Sequence, residues 1–169
     1  PLKPGAMAAR RWRPQNPPGI VGLDQYATLY ADARKWQQEG WVDYMTPQLY
    51  WTVDSKGQSY PKLLAWWAEQ NTKQRHLWPG NFTSKVRRKH ETEESNNAWS
   101  AEELIRQIEA TRATPGATGN VHFSMKALMN NTGGIADELR KTYAEPALVP
   151  EMPWVKSDLP AKPVVTRDT

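Results

Sequence analysis

The chain has 169 residues, which fits one domain or part of one, and 38% of them are hydrophobic, which indicates a folded protein. It contains no cysteine, so disulfide bonds, thiolate metal sites and a cysteine nucleophile are excluded. The net charge is +4, but the one dense basic run, at 85–89, is followed at once by Glu91, Glu93 and Glu94, which argues against a nucleic-acid-binding surface.

The amino-terminal part of the chain is predicted to be a loop followed by a helix and a strand. Residues 1–23 carry five prolines and three glycines, which disfavour regular structure. From Asp24 onward, apolar residues recur at steps of three and four, and Gly40 follows the last of them, which predicts a helix over 24–39. The β-forming residues that come next predict a strand at 42–46.

The rest of the chain continues this alternation of helix and strand. A capping box formed by Ser100 and Glu103 marks one helix start, and a proline-rich segment from Ala144 onward predicts an extended tail. The remaining predicted elements are a helix at 59–71, a strand at 75–82, a helix at 100–112, a strand at 119–129 and a helix at 135–143.

This order of elements predicts an α/β fold with parallel strands and right-handed crossovers. Three strands are too few to close a barrel, which needs about eight, so the chain is expected to be part of something larger. Unpaired sheet edges predict aggregation or dimerisation through the open edge. No run of about 18 apolar residues is present, so no membrane span is predicted.

Candidate ligand contacts lie where the predicted strands end, because parallel α/β folds bind ligands on the loops there. Amides can pair with sugar hydroxyls, and flat rings can lie against the C–H face of a pyranose. In the first loop the candidates are Gln48, Tyr50, Trp51 and Asp54. The alternative interpretation is that the two aromatic rings only fill the rim of the fold.

Two further loops supply weaker candidates. Trp78 and Asn81 open the second loop, whose charged stretch at 85–97 is either a flap over a site or a solvated insertion. Ser124 and Lys126 open the third loop. The sequence has no HExxH motif, phosphate-binding glycine loop or G-x-S-x-G motif, so it predicts no metal and no cofactor.

Several ordered segments together resemble a known family: RRWRPQNPPGIVGLDQYATLYADARKWQQEGWVDYMTPQLYW, LLAWWA, LWPGNFTS, GNVHFSMKAL and YAEPALVPEMPW. They are similar to the glycosyl hydrolase-like 10 family of bacterial proteins. The resemblance implies a (β/α)8 TIM-type barrel, a periplasmic, secreted or cell-surface lipoprotein setting, and action on glycan, with peptidoglycan strands as the expected substrate. It also places Trp12 and Arg13 in a turn after about the fifth strand, as substrate contacts.

The resemblance implies that the chain is the C-terminal half of the barrel, roughly its last three β/α units. It divides the chain into a segment of doubtful origin at 1–10, the half-barrel at 11–154, and a linker or tail at 155–169. Glycoside hydrolysis normally needs two carboxyl groups. Asp43 and Asp54 are the only acids on or just beyond a predicted strand, so the catalytic acids are expected on earlier strands outside this chain.

Three functions stay open on the sequence. The main expectation is a fragment of a glycoside hydrolase that is inactive alone and has glycan as its partner. The second is a non-catalytic carbohydrate-binding module that uses the tryptophans and tyrosines at the strand ends. The third is a structural or interaction fragment without a ligand, whose tryptophans form an ordinary core.

Overall fold

A computed structural model describes residues 6–7, 11–87 and 98–155 of the chain. The predicted flap at 85–97 and the predicted tail at 155–169 therefore lie largely outside the described residues. The strands are Ala6–Met7 (β1), Tyr44–Thr46 (β2), His76–Leu77 (β3), Gly80–Asn81 (β4) and Val121–His122 (β5). The α-helices are Gln25–Leu29 (α1), Ala33–Gln38 (α2), Tyr60–Glu69 (α3), Ala101–Ala113 (α4), Met125–Met129 (α5) and Ile135–Thr142 (α6).

All strand pairs are parallel, as the alternation of helix and strand predicts, and the α/β class is confirmed. The order is β1-β2-β3 in one small sheet and β4-β5 in the other. Bridges from Gln48 to Gly80 and from Leu77 to Ala117 join the two sheets, because β3 and β4 belong to one segment, 76–81. The described residues thus form one strip with four strand positions and no closed barrel.

The first of these positions, β1, was missed by the sequence prediction. Ala6 pairs with Met45 and Met7 with Thr46, within a segment predicted to be a loop. A two-residue strand is too short to show the alternation of apolar and polar residues that identifies strands.

The predicted helix at 24–39 is two helices, α1 and α2. Tyr30 ends α1 with a positive φ of 53°, and α2 starts three residues later, at Ala33. Asp24 and Asp32 cap the two starts, because each side chain accepts a hydrogen bond from a backbone N–H of its first turn. The second cap explains the break, which apolar spacing alone does not show.

Two clusters of buried side chains hold the helices against the strip. The first lies between β2, β3 and α3, and the second lies between α4, α6 and the chain near Val86. The first cluster includes Met45, Leu49, Leu63, Leu64, Trp67 and Leu77, and the second includes Val86, Trp99, Leu104, Ile108, Ile135 and Leu139. None of the described helices is both long and apolar enough to cross a bilayer.

The predicted strand at 119–129 is correct only over Val121–His122. Residues Met125–Met129 form helix α5 instead. A short apolar run does not distinguish strand from helix by its spacing, and here the helix packs against α6.

The chain after α6 returns to the amino ends of β2 and β3. The indole of Trp154 donates a hydrogen bond of 2.9 Å to Oδ1 of Asp43. The guanidinium of Arg75 lies 4.6 Å from the Trp154 ring centroid, and the His76 ring lies 5.0 Å from it. Asp43 is buried, so its carboxylate has the structural role that its position early in the strand indicates.

Candidate functional site

The strip has two faces, because side chains alternate across a strand. Met45, Leu49 and Leu77 point toward the helices, since they belong to the core cluster with α3. Their neighbours occupy the opposite face, which we call the open face. Its members along the strip are Tyr44, Thr46, Gln48, Tyr50, His76, Trp78 and Phe123, together with Phe82, which also packs against the second core cluster.

Three aromatic rings meet on the open face at the carboxyl ends of the strands. Tyr50 stacks on Phe82 with centroids 4.8 Å apart, and Phe123 lies 6.1 Å from each of them. Phe123 is 51% exposed, so its ring is available to a ligand. These three residues, from three different chain segments, are called the strand-end cluster.

Gln48 lies beside this cluster in close backbone contact with Gly80. A Cβ atom on Gly80 would lie 3.5 Å from Cα of Gln48 and 3.6 Å from Cε1 of Tyr50. The leucine that follows, Leu49, donates its backbone N–H to the Gly80 carbonyl at 3.1 Å. A Cβ atom would fit at these distances, so the backbone pairing, and not the absence of a side chain at Gly80, places Gln48 beside the strand end that leads to Phe82.

Two serines link the loops just beyond the cluster. The hydroxyls of Ser84 and Ser124 are 3.0 Å apart, and the backbone N–H of Ser124 donates to Oγ of Ser84 at 2.9 Å. The backbone N–H of Ser84 donates in turn to the Phe123 carbonyl at 2.8 Å. These bonds fix Phe123 relative to the segment that carries Phe82.

Trp78 lies on the same face but in a second aromatic group. Its ring stacks on Tyr44 at 4.9 Å and on His76 at 4.8 Å, and its indole donates to Oγ1 of Thr118 at 2.9 Å. Burial lowers the pKa of His76. Trp78 is therefore in contact with two other rings.

Two other candidates of the first loop turn toward the helices. Trp51 packs against the first core cluster, with the Arg11 guanidinium 5.6 Å from its ring. Asp54 pairs with Arg106 of α4 at 2.8 Å, and this hydrogen bond holds the pKa of Asp54 below its usual value. Glu103 of α4 also accepts the backbone N–H of Val53 at 2.8 Å, so α4 anchors this loop.

Asn81 is fully buried on the helix side of the strip. Its amide donates to Oε1 of Gln107 at 2.9 Å and to the hydroxyl of Tyr60 at 3.2 Å, and its oxygen accepts from Asn120 at 2.8 Å. These bonds connect β4 to α3 and α4, which gives Asn81 a place in the interior of the fold.

Trp12 and Arg13 pack against α1, α2 and α3. The indole of Trp12 donates to Asp32 at 3.0 Å, and its ring stacks on Trp66 at 6.3 Å. Arg13 pairs with Asp24 at 3.0 Å, and hydrogen bonds from the Ala27 backbone and from Arg13 lower the pKa of that aspartate.

The structure thus brings together three of the predicted contacts, Gln48, Tyr50 and Ser124, and places Trp78 on the same face. Lys126 is exposed on α5. Sequence reasoning missed Phe82, Phe123 and Ser84. Counting in steps of two from Trp78 would have placed Phe82 on the same face, but Pro79 interrupts that segment and obscures the pattern.

No acidic residue occupies the open face among the residues that the structure describes. Their carboxylates lie on helices or helix ends, ahead of β2, in the loop before α3, or in the returning tail. The same residues contain no group of three or more histidine, aspartate or glutamate side chains that could hold a metal ion. Glu91, Glu93 and Glu94 lie outside the described part of the chain.

Comparison with known proteins agrees with the resemblance seen in the sequence. The family model described as glycosyl hydrolase-like 10 matches residues 12–100, which is more than half of the chain. Glycosyl hydrolase YngK of Bacillus subtilis is 39% identical over 152 residues, which cover 88% of this chain and 29% of YngK. Glycosyl hydrolase DigH of Escherichia coli is 32% identical over 108 residues, which cover 60% of this chain and 24% of DigH. The chain spans less than a third of either relative, and it belongs to the glycosyl hydrolase-like 10 family.

Proposed function

We propose that this chain is the glycan-binding part of a (β/α)8-barrel glycoside hydrolase that acts on bacterial glycan outside the cytoplasm. Peptidoglycan strands are the proposed substrate. The family, the parallel strands with helices on one face, and the names of the relatives support this proposal. The observation that carries it is the strand-end cluster, which lies where parallel α/β folds bind their ligands.

The cluster has the chemistry of a sugar platform. A pyranose ring presents C–H groups on its faces, which favour contact with a flat aromatic ring. Half-exposed Phe123 offers such a ring, and the ring centroids of Tyr50 and Phe82 each lie 6.1 Å from its centroid. The amide of Gln48 and the hydroxyl of Ser124 lie at the same strand ends and suit the sugar hydroxyls.

The chain is proposed to bind glycan without cleaving it. Hydrolysis with retention needs two carboxyl groups about 5–5.5 Å apart, and inversion needs them roughly 6.5–9.5 Å apart. The described residues place no acid on the open face, so the acid and the nucleophile or base are proposed to come from other strands of the barrel.

The test is a calorimetric titration of the 169-residue chain with a peptidoglycan tetrasaccharide, followed by chromatography of the sugar. We expect binding without new products, and we expect Phe123→Ala to weaken it about tenfold, which corresponds to ~1.4 kcal/mol. Met129→Ala, which removes a 78% exposed side chain from α5, is the matched control and should leave the affinity unchanged. Equal affinities for both variants, or no binding by the parent chain, would contradict the proposal.

A second candidate, a non-catalytic carbohydrate-binding module, is favoured by the absence of acids from the described open face. Such a module needs no barrel, so the chain should bind the tetrasaccharide as tightly as full-length YngK does. A barrel part should bind more weakly than YngK, because strands outside it supply some of the contacts. Release of shortened sugar by the chain alone would exclude both candidates.

A further inference from the structure

The chain on either side of Phe123 is held by the turn that follows β4. The backbone N–H of Phe123 donates to the Asn81 carbonyl at 2.9 Å, and the Phe123 carbonyl accepts from the N–H of Ser84 at 2.8 Å. Oγ1 of Thr83 lies 2.9 Å from Nδ1 of His122, the residue before Phe123. The hydroxyl of Ser84 bonds the residue after it. The turn therefore fixes three consecutive residues, and the exposed ring is carried by the middle one.

His122 lies between two hydroxyl groups on the helix side of β5. Its ring points away from the open face, because successive side chains of a strand alternate between its two faces. Nε2 lies 3.5 Å from the hydroxyl of Tyr143, and the two ring centroids are 6.2 Å apart. Thr83, on the other side, is fully buried. Both ring nitrogens thus face uncharged partners.

No carboxylate forms an ion pair with His122 within the described part of the chain. The charged or titratable side chains that share a cavity with it are Arg112, Arg140, Tyr143 and Glu145. The acid among them is exposed, while Lys85 of the turn lies over the Trp99 ring and Lys126 of α5 is exposed. Burial without a bonded counter-charge therefore lowers the pKa of His122.

We infer that His122 is a positioning residue of the strand-end cluster, whose neutral ring holds Phe123 in the orientation that binds glycan and whose charged ring releases it in acid. The inference rests on the proposed function, because Phe123 is the proposed sugar platform. A charged ring needs water or an acceptor around it. It therefore leaves its half-buried place between Thr83 and Tyr143, and the backbone that carries Phe123 moves with it.

The direction of the pKa shift sets the pH window of this effect. The folded arrangement favours the neutral ring of His122, so the resulting stabilisation is complete above pH 6.5, the ordinary pKa of histidine. It is lost as the pH falls from there through the lowered pKa of the folded state. Glycan affinity should accordingly be constant above pH 6.5 and decrease below it.

Fluorine NMR tests the position of Phe123 without any sugar. The chain has two phenylalanines, so labelling with 4-fluorophenylalanine gives two signals, and Phe123→Leu identifies the one from Phe123. We expect this signal to move between about pH 7.5 and about pH 5 in the parent. It should keep its position in His122→Asn, whose amide is neutral at both pH values and suits the Thr83 hydroxyl. His76→Gln, which removes a buried histidine at the amino end of β3, is the control and should move like the parent.

Calorimetric titration with the peptidoglycan tetrasaccharide measures the effect on binding. The affinity of the parent should fall about fivefold from about pH 7.5 to about pH 5, and that of His122→Asn should be equal at both. Thr83→Val removes the hydroxyl but keeps the shape of the side chain, so it should weaken binding at the higher pH. Thr83→Ser should restore it. Near-UV circular dichroism checks that each protein is folded at both pH values.

A Phe123 signal that ignores pH would overturn the inference, as would equal pH dependence in the parent and His122→Asn. Sugar binding by the parent that is equally tight at both pH values would refute the positioning role and leave the proposed function intact. A parent that binds no tetrasaccharide at either pH would refute the proposed function, and the fluorine signals then decide separately whether His122 positions Phe123.

Discussion

The hydroxyl of Tyr60 connects the helices to the strip through hydrogen bonds. It lies 2.9 Å from the Thr111 hydroxyl and accepts from the amides of Asn81 and Asn120, each at 3.2 Å. Its side chain is fully buried, and this burial raises its pKa to about 12. The hydroxyl therefore bonds polar groups of α4, of β4 and of the residue before β5 at one point.

Removing this hydroxyl should destabilise the fold measurably. Tyr60→Phe keeps the ring but leaves one N–H of the buried Asn81 amide without an acceptor, which costs about 1–3 kcal/mol. Urea unfolding followed by near-UV circular dichroism measures the change. Tyr30→Phe, at a side chain that is 92% exposed, is the control and should unfold like the parent; an equal loss in both variants would refute this role.

The same hydroxyl predicts a loss of stability in alkali. Its pKa is about 12 in the folded state, against 10.0 for an ordinary tyrosine such as that of the unfolded chain, so the folded protein holds the proton more tightly. The resulting stabilisation is complete below pH 10 and is lost as the pH rises from there toward about 12. Unfolding free energies measured along this window should fall more steeply for the parent than for Tyr60→Phe. Parallel curves would contradict the assignment.

Among the helices, the stability of α4 depends on the hydrogen bonds of its first turn. The Ser100 side chain accepts the backbone N–H of Glu103, and the Glu103 side chain then holds the loop before α3 through Val53. Ser100→Ala should lower the free energy of unfolding by about 1 kcal/mol. Ser100→Asp keeps an acceptor at the cap and should restore most of it. Thermal unfolding of the parent, Ser100→Ala and Ser100→Asp measures this effect. Equal melting temperatures for all three proteins would show that the cap does not stabilise the fold.

Elements with local signals could be predicted from the sequence. Helices α3 and α4 have caps and continuous apolar faces, and both were predicted within two residues of their observed bounds. The short strands depend on pairing between distant segments, which no local pattern records. This is why β1 was missed and why the predicted strand at 119–129 extended into α5.

The candidate site could be predicted only in part, for a similar reason. The rule that ligands lie at strand ends selected Gln48, Tyr50 and Ser124, which the structure places at neighbouring strand ends, and their contact with a ligand stays a prediction. It could not show that Asn81 turns toward the helices, because a two-residue strand next to Pro79 leaves the facing of its side chains undetermined. Nor could it show that the ring of Trp12 packs on Trp66, because this is a contact between distant parts of the chain.

At the scale of the whole molecule, the returning tail fastens the last described segment to the sheet. Trp154→Ala removes the ring between Arg75 and His76 and leaves the buried carboxylate of Asp43 without its indole donor. We expect a loss of about 2 kcal/mol in unfolding free energy and faster cleavage of the tail by protease. Leu148→Ala, at a tail residue that is 91% exposed, is the control. Equal cleavage rates for Trp154→Ala and the parent would show that other contacts hold the tail.

The contact between Trp154 and Asp43 also brings segments from the two ends of the chain close together. Ala6 is paired with Met45 of β2, and Trp154 is bonded to Asp43, the residue before β2. Segments from opposite ends of the chain therefore meet two residues apart, or about 7 Å along extended backbone. A short linker between them would close the backbone into a ring with little entropic cost. A circular permutant opened instead at exposed Pro115 and Gly116 should retain the same arrangement of strands.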